Sequence, residues 1–172
     1  MKKLFLLMVA AMAMTFVSCD DKAKGGDGSD STGNEAVAEM TDGNTFEGAN
    51  FTMVYPKEWK ETYKSDDCIN AGVEGVSMDA TFNDYPCKPA DFEQYYKNFT
   101  GMSMNKDYQF EEAKIDGNIM TFKGVNGDKA ATNFVVFIED KAGVAGKVEY
   151  PVAKAAEIEK AIMPMLKSIK KK

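Results

Sequence analysis

Phe134-Val135-Val136-Phe137-Ile138 is apolar at every position. A strand with one face in water alternates apolar and polar side chains, so an unbroken run of this length marks a strand buried on both faces. Both faces then need a covering layer, and two segments are suited to supply it. Pro89 opens a helix where its missing N–H costs nothing, with Asp91 and Glu93 at the positive end of the dipole. Phe92, Tyr95, Tyr96, Phe99 and Met102 follow at spacings that form one apolar stripe. A second helix is predicted from about Val152 to Ile169, with Ile158, Ile162, Met165, Leu166 and Ile169 on one face and Lys167 and Lys170 to Lys172 complementing its negative end. Pro164 falls inside it and must kink it or remove one hydrogen bond.

The remaining pattern is β. Phe51, Met53 and Tyr55 alternate with Thr52 and Val54 in a strand that stops at Pro56. Glu58 to Tyr63, Ile69 to Val73, Ser77 to Phe82, Phe110 to Ile115, Asn118 to Lys123 and Val144 to Tyr150 read as further strands, with turns near Gly75 and at Asp116-Gly117. Together these predict one α+β domain: a largely antiparallel central sheet with a helix on each face. No internal repeat is evident.

Phe51-Thr52-Met53-Val54-Tyr55-Pro56-Lys57-Glu58-Trp59 resembles the Phe-x-aliphatic-x-Tyr-Pro-x-x-Trp opening of PsbP-like domains. The order and length of the elements that follow, through Ile169, are similar too. The resemblance implies an α-β-α sandwich. It carries over no metal or catalytic residue, because the family shares a scaffold and not a conserved active site. The physical reading of the motif is structural: Pro56 ends a strand and Trp59 buries a large ring at the corner.

The N-terminus is read as a targeting segment. Lys2 and Lys3 precede an apolar run of 14 residues, Leu4 to Val17, too short for the roughly 20 residues a membrane-spanning helix requires. Ser18-Cys19 resembles the lipobox junction of bacterial lipoproteins, which would make residues 1 to 18 a signal peptide and Cys19 the lipid anchor. Phe16-Val17 departs from the common form of that box, and an ordinary secretory peptide is the alternative. Acidic Asp20-Asp21 partly matches surface-export signals, so an outer-membrane lipoprotein facing the periplasm or the cell surface is expected, with the face open. Residues 19 to 44 are rich in Gly, Asp, Ser and Thr and carry no aromatic residue, the composition of a flexible tether reaching roughly 25 to 30 Å. Ser31 in Asp30-Ser31-Thr32 resembles an O-glycosylation motif, against the plainer reading of a polar linker. The globular domain is expected over residues 45 to 172. Asn50 and Asn98 head N-glycosylation sequons that are discounted in a bacterial lipoprotein.

Composition removes much chemistry. The chain has no His and no Arg, so all 21 basic side chains are Lys. Imidazole catalysis, His-based zinc sites and bidentate guanidinium clamps are thereby excluded. Loss of residues 1 to 18 leaves 19 lysines against 27 acids, a net of −8, which opposes nucleic-acid binding. Cys68 and Cys87 form an even pair in an oxidising compartment. A disulfide between them would close a loop of about 20 residues and stabilise by about 3 kcal/mol. A redox-active pair is the rival reading and lacks Cys-x-x-Cys spacing. Asp66-Asp67, Glu111-Glu112 and Glu139-Asp140 lack the spacing of a calcium loop and read as solvated surface. No catalytic residue, metal or cofactor is assigned, and no ligand-binding residue either.

Two functions of different class follow. The first is a membrane-tethered, non-catalytic binding module of the cell envelope that presents one face of the sandwich to a protein or envelope partner. The second is a carrier of a small or lipidic ligand in a cleft between sheet and helix. Tyr63, Tyr85, Tyr95, Tyr96 and Tyr108 could line such a cleft, although aromatic residues at helical spacing are more often core. A solvent-facing patch favours the first; an enclosed apolar pocket favours the second.

Overall fold

The computed structural model describes residues 37–83, 88–139 and 142–172. Cys19, Ser31, Tyr85 and Cys87, with the signal segment and most of the tether, lie outside the described residues.

The run Phe134–Ile138 lies in the long strand β9 (Lys129–Glu139), with β10 (Ala142–Pro151) on one side and β8 (Ile119–Asn126) on the other. Outward from β10 come β5 (Val76–Asn83), β4 (Cys68–Val73) and β3 (Lys60–Lys64). Outward from β8 come β6 (Gln109–Phe110) and β7 (Lys114–Asp116), both paired to it. All these pairings are antiparallel, and the sheet has eight strands. Gly75 and Gly117 take φ of 74° and 61° in the β4–β5 and β7–β8 turns, a region open to a residue without Cβ.

The period of two divides the apolar run between layers. Phe134 and Val136 face the larger core, which α2 (Ala155–Lys167) closes with Ile158, Ile162, Met165 and Leu166. Val135 faces a smaller cluster under α1 (Phe92–Thr100), where Phe92, Met120 and Phe122 are buried with it. A helix therefore lies on each face of a mostly antiparallel sheet, as the doubly buried strand requires. Pro164 is accommodated inside α2, where its carbonyl accepts a 2.8 Å bond from the Met40 N–H.

A second sheet of three strands was not foreseen. β2 (Phe51–Tyr55) joins β1 (Asn44–Glu47) on one side and β11 (Lys170–Lys171) on the other, and not the larger sheet. Its Phe51, Met53 and Tyr55 still point into the main core, as the alternation predicts. Ser168 locks the end of α2 to β2, accepting a 2.8 Å bond from the Val54 N–H through Oγ. Lys170 and Lys171, expected to follow the helix as dipole partners, instead extend in a strand opposite Thr52 and Phe51. At the corner after β2, Trp59 is 1% exposed, and Asn44 Nδ2 lies 3.0–3.3 Å from the carbonyl oxygens of Pro56, Lys57 and Trp59. Met102, expected on the α1 stripe, follows the helix and is 47% exposed, because Thr100 ends the last turn. Ahead of β1, Met40 already packs against the core, and Glu39 pairs with Lys170 at 3.0 Å. Among the described residues no helix is long and apolar enough to cross a membrane.

Candidate binding face

α1 covers only part of its side of the large sheet. The strand register carries one row across that side from Phe122 through Asn133, Lys147 and Asp79 to Asn70. The next row runs from Gly124 through Ala131, Glu149 and Ser77 to Gly72. Beneath α1 the row begins apolar; beyond β9 it becomes polar or small. The alternation of Val76, Met78 and Ala80 into the core fixes the opposite parity for Ser77 and Asp79, so those two face outward. A groove of about 660 Å³ lies over β3, β4 and β5, with Glu58, Lys60, Asn70, Glu74, Ser77, Asp79 and Glu149 among its walls.

Charge in this groove is not balanced within it. Lys147 and Glu149 pair at 3.1 Å. Glu58, Glu74 and Asp79 form no ion pair with a described residue, and neither does Lys60. Burial raises the Asp79 carboxyl above its ordinary value; Lys147 across the strand pair pulls it back, and Glu149 adds to the rise. At the edge, β3 is exposed at every residue and is interrupted by a bulge between Glu61 and Tyr63. Tyr63 stands 55% exposed there.

A second polar cluster ties α2 to the sheet. Lys123 Nζ lies 2.9 Å from Glu159 Oε1 and 3.4 Å from Glu111 Oε1. The Tyr150 hydroxyl donates to Glu159 Oε1 at 2.9 Å and lies 2.7 Å from Thr132 Oγ1. Desolvation, reinforced by Glu159, pushes the Tyr150 hydroxyl up to about 12. The hydrogen bond to Glu159 raises Lys123. Burial opposes ionisation of Glu159, but the bonds from Lys123 and Tyr150 outweigh it and leave its carboxyl below the ordinary range. General acid–base chemistry needs groups poised near neutral pH, whereas each member here moves away from it. The cluster acts as a tie between layers. Its adjoining cleft, about 200 Å³, is lined by charged and polar side chains such as Glu111, Lys114 and Thr132 together with Phe122, Ile162 and Met163.

The residues singled out in the sequence are scattered. Cys68 begins β4, half-buried, with Sγ 3.4 Å from Thr81 Oγ1 and 3.7 Å from Asn70 Oδ1; its expected partner Cys87 lies outside the described residues. Tyr95, Tyr96 and Tyr108 belong to the aromatic packing around Phe99, Phe110 and Phe122. Asp67 accepts from Asn50, Glu111 pairs with Lys123, and Glu139 pairs with Lys171. Among the described residues no three metal-ligating side chains converge. Asp79, Tyr150 and Glu159 went unnoticed in the sequence. Parity along Val76–Ala80 could have found Asp79, but nothing local joins Tyr150 to Glu159.

No protein-family model matches the chain, and no curated protein matches it in sequence. Solved structures do match in fold. Cyanobacterial PsbP (CyanoP) from Synechocystis is 11% identical with a TM-score of 0.51, over 81% of this chain and 96% of that one. The Ran-binding protein Mog1p of Saccharomyces cerevisiae is 12% identical with a TM-score of 0.50, over 74% and 94%. A protein from Bacteroides thetaiotaomicron is 14% identical with a TM-score of 0.50, over 77% of this chain and 49% of that one. The fold is thus that of PsbP and Mog1, a PsbP-like α+β sandwich.

Proposed function

We propose that this PsbP-like domain is a non-catalytic binding module, tethered through Cys19 to a bacterial envelope membrane, which presents the uncovered face of β3, β4, β5 and β10 to a protein partner. One observation carries the reading: among the described residues α1 stops short of that face, leaving a groove lined by polar side chains whose charges are not matched among themselves. The fold comparison supports it at the level of class, since Mog1p is a Ran-binding protein. The carrier reading has less support. The cleft between sheet and α2, at about 200 Å³, falls below the roughly 300–1,000 Å³ of ligand sites and has charged walls.

The test is site-specific photocrosslinking in host cells with the full chain. A photoreactive residue replacing Ser77 is expected to trap a defined protein, and the same residue at Glu157 on α2 is expected to trap none. The same adduct from both positions, or none from Ser77, would refute the assignment.

A further inference from the structure

We infer that the segment received by the open face is an extended, cationic stretch of the partner protein with two Lys or Arg side chains four residues apart; this rests on the binding role proposed above. The uncompensated charges set the sign. Lys147 and Glu149 neutralise each other, and Lys154 Nζ lies 2.8 Å from the Glu74 carbonyl oxygen, so Glu58, Glu74 and Asp79 stand against Lys60 and Lys154, a local excess of one negative charge. An anionic surface or nucleic acid would be repelled. A purely apolar occupant would leave those carboxylates desolvated without partners.

The register sets the spacing. Gly72 lies opposite both Lys60 and Ser77, and the groove is walled at that end by Glu58 and Glu74, in the turns just before β3 and just after β4. Asp79 lies further along the strands by about four residues, roughly 13 Å at a rise of about 3.3 Å per residue. An extended chain laid along this direction presents same-side side chains every two residues, so positions i and i+4 reach the two ends. Pairing to the outer edge of β3 is disfavoured by its bulge and by Lys60, Glu61 and Lys64, so the occupant lies over the face instead of lengthening the sheet.

The probe is a fluorescent eight-residue Thr/Ser peptide with two lysines four apart, measured by anisotropy against the full chain at low salt. Controls carry glutamates at the same positions, or adjacent lysines. The spaced lysine peptide is expected to bind best and the glutamate peptide not to bind. The variant Glu58→Gln/Glu74→Gln/Asp79→Asn should weaken it about tenfold or more, whereas Asp107→Asn/Glu112→Gln/Glu157→Gln, with equal loss of charge on residues outside the groove, should change it less than about twofold. Lys60→Gln, which leaves all three carboxylates in place, should strengthen binding, and this gain keeps the test informative if the triple variant folds poorly. Equal effects of the two triple variants, indifference to spacing, or no gain from Lys60→Gln would overturn the inference. A partner trapped at Ser77 through a segment without Lys or Arg would overturn it too, while leaving the binding face itself standing.

Discussion

Replacing Tyr150 with Phe keeps the ring in the core and removes one oxygen that serves two bonds. Thr132, 7% exposed, loses the 2.7 Å partner of its hydroxyl, and Glu159 loses a 2.9 Å donor. The second loss is partly made good, since Glu159 keeps Lys123 at 2.9 Å and its side chain is 41% exposed, so water can take the vacated place. With about 1 kcal/mol for each bond and a further fraction for the stranded Thr132 hydroxyl, we expect Tyr150→Phe to cost about 2 kcal/mol. Trp59, the single tryptophan, is buried, so its fluorescence follows urea unfolding. At a slope of about 2 kcal/mol per molar urea the midpoint should fall by roughly 1 M. The alkaline limb adds a second readout. The folded-state value of Tyr150, about 12, lies above its ordinary 10.0, so its contribution is complete below pH 10 and declines as pH rises towards 12. By about pH 11 the wild type should have lost about 1.4 kcal/mol that the variant does not lose, and the gap between them should fall to about a third. A gap under about 0.5 kcal/mol at about pH 8, or one that does not narrow towards about pH 11, would refute the account of the tie.

Two further outcomes concern the cysteines. Cys19→Ala should move the protein from membrane to released fractions with the unfolding curve of the domain unchanged; retention in the membrane fraction would disprove lipid anchoring at Cys19. Cys68 and Cys87 should be joined in the exported protein, visible as a mass gain of two alkyl groups only after reduction; alkylation of both without reductant would rule the disulfide out.

The sequence carried the parts of the fold that follow from local pattern. Phe134–Ile138 required two covering layers, the alternation before Pro56 oriented Phe51, Met53 and Tyr55, and the stripes at Phe92–Phe99 and Ile158–Leu166 marked the helices that cover the sheet. Pairings between distant segments were not legible. β11 lies beside β2 although over a hundred residues separate Thr52 from Lys170, and three consecutive lysines resemble a solvated tail more than a strand. The open face was hidden for a related reason. Outward positions on β4 and β5 can be counted from parity, but whether they meet water depends on how far α1 extends over the sheet, and helix length does not say which strands it crosses. The tie formed by Tyr150, Glu159 and Lys123 joins three elements and has no signature in any one of them.

The separation of the two sheets has a mechanical consequence. Tension arriving from the N-terminal side meets first the ion pair of Glu39 with Lys170 and the bond from Met40 to the Pro164 carbonyl, then the β1–β2 ladder. These lie in the small sheet and on α2, whereas the open face belongs to β3, β4, β5 and β10 of the large one. Under the tethered, partner-binding reading proposed above, a pull would fray β1 while β3, β4, β5 and β10 keep their register, and the small sheet would act as a strain relief between leash and grip.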